Sequence, residues 1–185
     1  MKKLFCTLLV AVTALFGVPV QAQKFNYNYI DAGLRIGSVL SDVDVTGVGA
    51  EGSYLIAPNI RLKVGADWLD ADDFDTSAQN VAVQAGYFTT IAPNVDAVVD
   101  AGLLYLNVDD FDDDTGLKID GIVRVRVSPE LEINAGLTYV DIFDDSDIGV
   151  HLAGAFKVQP NLALLVRYDE TGETELWSFG VRLNY

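Results

Sequence analysis

The chain ends Trp177-Ser178-Phe179-Gly180-Val181-Arg182-Leu183-Asn184-Tyr185, with an aromatic or aliphatic side chain at each odd position and a polar or tiny one at each even position. Successive side chains of a strand point to opposite faces, so this is a strand with one apolar and one polar face. Such a strand packs as well on a soluble core as against lipid, and the start of the chain separates the two. Met1-Lys2-Lys3 precedes an apolar run from Leu4 to Phe16, then Gly17, Pro19 and Val20-Gln21-Ala22. A basic head, a short apolar stretch and a cleavage point after a small residue make a secretory signal peptide. The run is too short and too interrupted to anchor the protein as a spanning helix. Residues 1–22 are therefore expected to be removed, leaving 23–185 as one β-barrel domain.

Lys2 and Lys3 leave with the signal, so ten of the 12 basic residues remain against 27 acidic ones, a net charge of −17. That charge excludes nucleic acid as a partner. Cys6, the single cysteine, belongs to the signal, so the mature chain forms no disulfide although it is exported to a compartment that permits one.

Four turn signals recur along the chain: Ala57-Pro58-Asn59, Ala92-Pro93-Asn94, Ser128-Pro129-Glu130 and Gln159-Pro160-Asn161, with the prolines 35, 36 and 31 residues apart. Midway between them lie acidic breaks at 37–42, 70–77, 109–116, 144–147 and 170–173. Each unit reads as strand, acidic loop and return strand, a β-hairpin. Five hairpins predict ten strands, at about 25–36, 43–56, 60–70, 77–90, 95–108, 117–127, 131–142, 148–158, 162–169 and 174–185. The fold class is all-β, a closed antiparallel up-and-down transmembrane β-barrel of ten strands, with eight as the alternative count.

One parity of most strands is apolar throughout, as in Ile60, Leu62, Val64, Ala66 and Trp68, while the other carries the charges. The charged parity holds Arg35, Arg61, Lys63, Asp67, Asp96, Asp100, Lys118, Asp120, Arg124, Arg126, Glu132, His151, Lys157, Arg167, Asp169 and Arg182, which are expected to face the lumen. Trp68, Tyr105, Tyr139, Tyr168 and Trp177 stand on the apolar parity beside the acidic loops; Tyr54, Tyr87, Phe156 and Tyr185 stand on it beside the short turns or the terminus. Two aromatic girdles around an aliphatic band suit headgroups and hydrocarbon, whereas a globular core has no reason to sort aromatics by height. The first two strands resist assignment. Tyr27 and Tyr29 share parity with Asp31 and Arg35, and Gly47, Gly49 and Gly52 blur the second strand, so a bulge is expected there.

With its signal peptide, its hairpins on short turns and its terminal Phe179, Val181, Leu183 and Tyr185, the chain resembles the small outer-membrane β-barrels of Gram-negative bacteria, porin-like and OmpA-like. Phe25-Asn26-Tyr27-Asn28-Tyr29 and the terminal strand are also similar to short proteobacterial barrels once described as quorum factors. The resemblance implies location in the cell outer membrane and reading of the last strand by the barrel-assembly machinery.

Mixed lumen charges point to interlocking pairs in a narrow interior, with Arg124 and Arg126 next to strands bearing Asp96, Asp100 and Glu132. His151 is the only histidine; a rim enzyme would use it with Asp141 or Ser178, but a histidine bonded to a lumenal carboxylate explains it as well. The stretch from Asp110 imitates an EF-hand opening, yet Thr115 takes the glycine position and Gly121 the place of the closing glutamate, so no EF-hand is expected. No cofactor or metal site is expected. The anticipated partners are outer-membrane lipid and lipopolysaccharide, the assembly machinery and weakly held divalent cations, and the barrel is expected to be a monomer. The expected function is structural, adhesive or environment-sensing without catalysis. The alternatives are a narrow passive channel and a rim enzyme built on His151.

Overall fold

The computed structural model describes residues 25–39, 43–71, 76–109 and 113–185. The expected signal segment, Gln23 and Lys24, parts of the first three acidic loops and the EF-hand-like start at Asp110 lie outside the described residues. Ten strands run in chain order: β1 (Tyr29–Val39), β2 (Val43–Ala57), β3 (Ile60–Ala71), β4 (Ser77–Ala92), β5 (Val95–Val108), β6 (Asp114–Arg126), β7 (Leu131–Ile142), β8 (Asp145–Gln159), β9 (Leu162–Thr171) and β10 (Thr174–Asn184). Each pairs antiparallel with its neighbours in sequence, and β1 closes on β10 from Tyr29 opposite Asn184 to Ser38 opposite Glu175. Ten strands, not eight, complete the ring. Closure follows from the solvent, because hydrocarbon cannot satisfy the backbone groups of an open edge.

Burial is inverted relative to a soluble protein. Leu103 and Leu137 are 61% and 58% exposed, whereas Asp100 and Gln84 are 0% and 1% exposed. The apolar parity faces outward and the charged parity inward, which excludes a soluble barrel with an apolar core.

The first strand begins four residues later than its pattern indicated. Phe25 and Tyr27 leave the sheet and enter the barrel, where the Tyr27 ring stacks on Phe88 with centroids 3.8 Å apart. Leu55, Phe88, Val98 and Ile122 make the short-turn end of the lumen apolar, so these rings find more partners inside than in an edge strand. Tyr29, Asp31 and Arg35 face inward with them. The glycines of β2 cause no bulge; the register shift lies between Leu55 and Ala57, beside the short turn. Similar shifts occur at Thr90/Ala92 and Lys157/Gln159, also at short-turn ends. The last leaves Lys157 exposed at the mouth, so it is not a charge of the lumen interior.

The fourth acidic break is tighter than its composition indicated. Ile142 pairs directly with Asp145, and Phe143 and Asp144 have φ of 56° and 61°. Two consecutive left-handed residues form the two-residue hairpin turn whose twist matches the flanking strands. Phe143 carries a large side chain where glycine or asparagine is usual.

Candidate functional site in the barrel interior

Eight carboxylates face the interior of the described barrel, from Asp31, Glu51, Asp67, Asp96, Asp100, Asp120, Glu132 and Asp169. Eight permanent cations match them: Arg35, Arg61, Lys63, Lys118, Arg124, Arg126, Arg167 and Arg182. Buried charges require such partners, because removing an ion from water costs several kcal/mol, about what a good pairing returns.

The central contacts start from β3. Lys63 Nζ lies 3.3 Å from Asp100 and 2.8 Å from Asp120, and Arg61 Nε donates to Asp100 at 2.9 Å. Gln84 Nε2 and Thr138 Oγ1 donate to Asp120 at 2.9 and 2.8 Å. Gly86, opposite Asp100, leaves the space this carboxylate occupies, since a Cβ there would overlap it. Gly49 does the same for the Arg35–Asp67 pair at 2.8 Å. A second group joins β10, β1 and β9: Arg182 grips Asp31 through two bonds of 2.8 Å, and Arg167 reaches Asp31 and Glu51 at 3.5 Å. Tyr29 donates to Glu51 at 2.9 Å beneath the Arg182 guanidinium.

Below this web, Arg124 donates to Glu132 at 2.7 and 2.9 Å and lies 4.4 Å from the Tyr27 ring centroid and 4.9 Å from that of Phe25. Arg126 sits over Phe25 at 4.6 Å. Asp96 accepts from Tyr27 and Thr90 rather than from an arginine. Arg124 thus meets a carboxylate of the neighbouring strand as expected, while the longer crossing pairs centre on β3.

On the loop side, His151 Nδ1 lies 2.6 Å from Asp169 Oδ1. Asp141 faces outward and accepts from Tyr139, so it does not join His151. Ser178 is buried with its hydroxyl unpartnered, and it does not line the cavity that His151 lines. That central cavity measures about 60 Å³, room for a few waters. Among the described residues no cluster of three or more histidine, cysteine or acidic side chains is arranged to hold a metal.

Every expected girdle aromatic lies on the outer surface. Trp68, Tyr105 and Trp177 are exposed and Tyr139 and Tyr168 half-buried near the loops; Tyr54, Tyr87, Phe156 and Tyr185 are exposed at the other end. Trp68, Tyr139 and Tyr168 each donate to the carboxylate two residues on: Asp70, Asp141 and Glu170.

Sequence reading passed over Asp31, Glu51, Tyr27 and Tyr29 as lumen residues. The glycines of β2 hid its alternation, but the unbroken period of two through Tyr27, Tyr29, Asp31 and Arg35 carried the signal for β1.

A model of the outer membrane protein beta-barrel domain matches residues 8–185. No curated protein matches the chain. Among solved structures, OprG from Pseudomonas aeruginosa is similar at 12% identity and TM-score 0.47, over 90% of this chain and 99% of that one. A KdgM porin in complex with disordered oligogalacturonate is similar at 10% identity and TM-score 0.47, over 87% and 99% of the two chains. The N-terminal β-barrel domain of OprF from Pseudomonas aeruginosa is similar at 12% identity and TM-score 0.46, over 87% and 100%. By the match of the family model over nearly its whole length, the chain belongs to the outer membrane protein beta-barrel family.

Proposed function

We propose that this protein is a non-conducting, non-catalytic barrel with a structural, adhesive or environment-sensing role at the cell surface. The observation that carries this reading is Tyr27, 2% exposed, stacked on Phe88 inside the barrel and bonded to Asp96 under Arg124. The ion-pair web above it, around a central cavity of about 60 Å³, supports the same reading. His151 is parted from Asp141, and Ser178 does not line the cavity that His151 lines, which argues against the rim enzyme.

The acidic loops are the surface offered to the exterior. The stretches 40–44, 70–75, 109–114, 141–147 and 170–175 hold 18 carboxyl side chains and no lysine or arginine. Such a rim stays solvated, and against the phosphates of lipopolysaccharide it requires bridging by weakly held divalent cations. Export by cleavage after Ala22, insertion by machinery that reads the strand ending at Tyr185, and a monomeric state complete the proposal. Planar-bilayer recording of the refolded mature chain tests it. Absence of discrete conductance steps is expected, and reproducible steps from the intact chain would replace this reading with the passive channel.

A further inference from the structure

The lumen as a whole is balanced in charge, but the central cavity is not. Its wall carries the cations of Arg61, Lys63, Lys118, Arg124, Arg167 and Arg182. Only three carboxylates line it with them, Glu51, Asp120 and Asp169. The balancing Asp31, Asp100 and Glu132 stand behind the cations, outside the lining.

Of the cations on this wall, Lys118 is unspent and Arg167 is loosely held, and two further guanidinium nitrogens are left unpaired behind it. Arg124, with 4% of its side chain exposed, has an Nη1 that meets no acceptor among the described residues, and Arg167 Nε is in the same state. Arg167 makes its two ion pairs only at 3.5 Å. Lys118 forms no ion pair or hydrogen bond with any described residue; Asp120 and Asp169 act on it from beyond ion-pair distance. A species that accepts from Lys118 and from the loosely paired Arg167 guanidinium is therefore favoured.

Access is one-sided. Arg124 over the Phe25 and Tyr27 rings closes the short-turn end, whereas the Asp169 side chain is 38% exposed and opens the cavity toward the loops.

From these observations we infer that the cavity is a binding site for a small monovalent anion of halide size, entering from the loop side and held by Lys118 and Arg167. Size and charge select the ligand together. About 60 Å³ takes a halide with a little water. The acidic rim repels a doubly charged oxyanion about twice as strongly as a singly charged one.

The test uses the refolded mature chain in detergent micelles. Thermal unfolding is followed in sodium chloride and, at equal ionic strength, in sodium gluconate, whose anion is too large for the cavity. Chloride is expected to raise the midpoint by about 3 °C, the size of shift a ligand well above its dissociation constant gives a chain of this length. Lys118→Gln, which breaks no ion pair, should fold normally and lose most of that difference. Crystals grown in bromide should show an anomalous peak beside Lys118 and Arg167. Equal midpoints in the two salts, a chloride effect that survives Lys118→Gln, or a cavity holding only water would each overturn the site. Conductance plays no part in these readouts, so the anion site and the closed lumen stand or fall separately.

Discussion

Asp100 on β5 and Asp120 on β6 are directly opposed partners in the sheet, and both are buried. Like charges so placed repel, and the sheet tolerates them because Lys63, on β3 two and three strands away, puts its ammonium between the two carboxylates. Lys63→Met should therefore cost about 3–5 kcal/mol, the loss typical when a buried pair is broken from one side. Adding Asp120→Asn should restore part of it by removing the carboxylate left without a cation, since Asp100 keeps Arg61. Urea unfolding in lipid vesicles reads both. A Lys63→Met barrel as stable as the parent would mean that the repulsion is relieved by water instead.

Phe25 and Tyr27 are the aromatic floor of the interior. Replacing both by alanine leaves the ten strands intact, because neither residue belongs to the sheet. The double variant should conduct in planar bilayers where the parent is expected to be silent. If it too is silent, the ion-pair web alone seals the barrel.

Val99 lies on the outer face with 54% of its surface exposed, mid-strand between the girdles. Val99→Arg should lower folding free energy in bilayers by about 2–4 kcal/mol, the cost of arginine near the membrane midplane. Val99→Ile should be neutral. Equal stability of the two variants would place this position away from lipid.

Phe143 holds a left-handed backbone that costs a bulky residue about 1–2 kcal/mol. Phe143→Asn should stabilise the β7–β8 hairpin by about 1 kcal/mol, seen as a raised urea midpoint. A destabilised variant would show that the exposed ring contributes more to the membrane surface than its backbone strain takes away.

Much of the fold was written locally. The alternation of Ile60 to Trp68, the prolines every three dozen residues and the sorting of aromatics to strand ends were sufficient for strand number, order and facing, because period-two patterning and turn chemistry act over a few residues. That Arg61, Lys63, Asp100 and Asp120 share the interior was legible in the same way. Which of them bind each other was not. Ion pairs across a lumen depend on barrel stagger, on side-chain reach and on the room left by Gly49 and Gly86, none of which a single strand encodes. The inward course of Phe25 and Tyr27 was decided only once the barrel had closed, since the apolar patch that receives them is assembled from β2, β4, β5 and β6 and exists in no one segment of the chain.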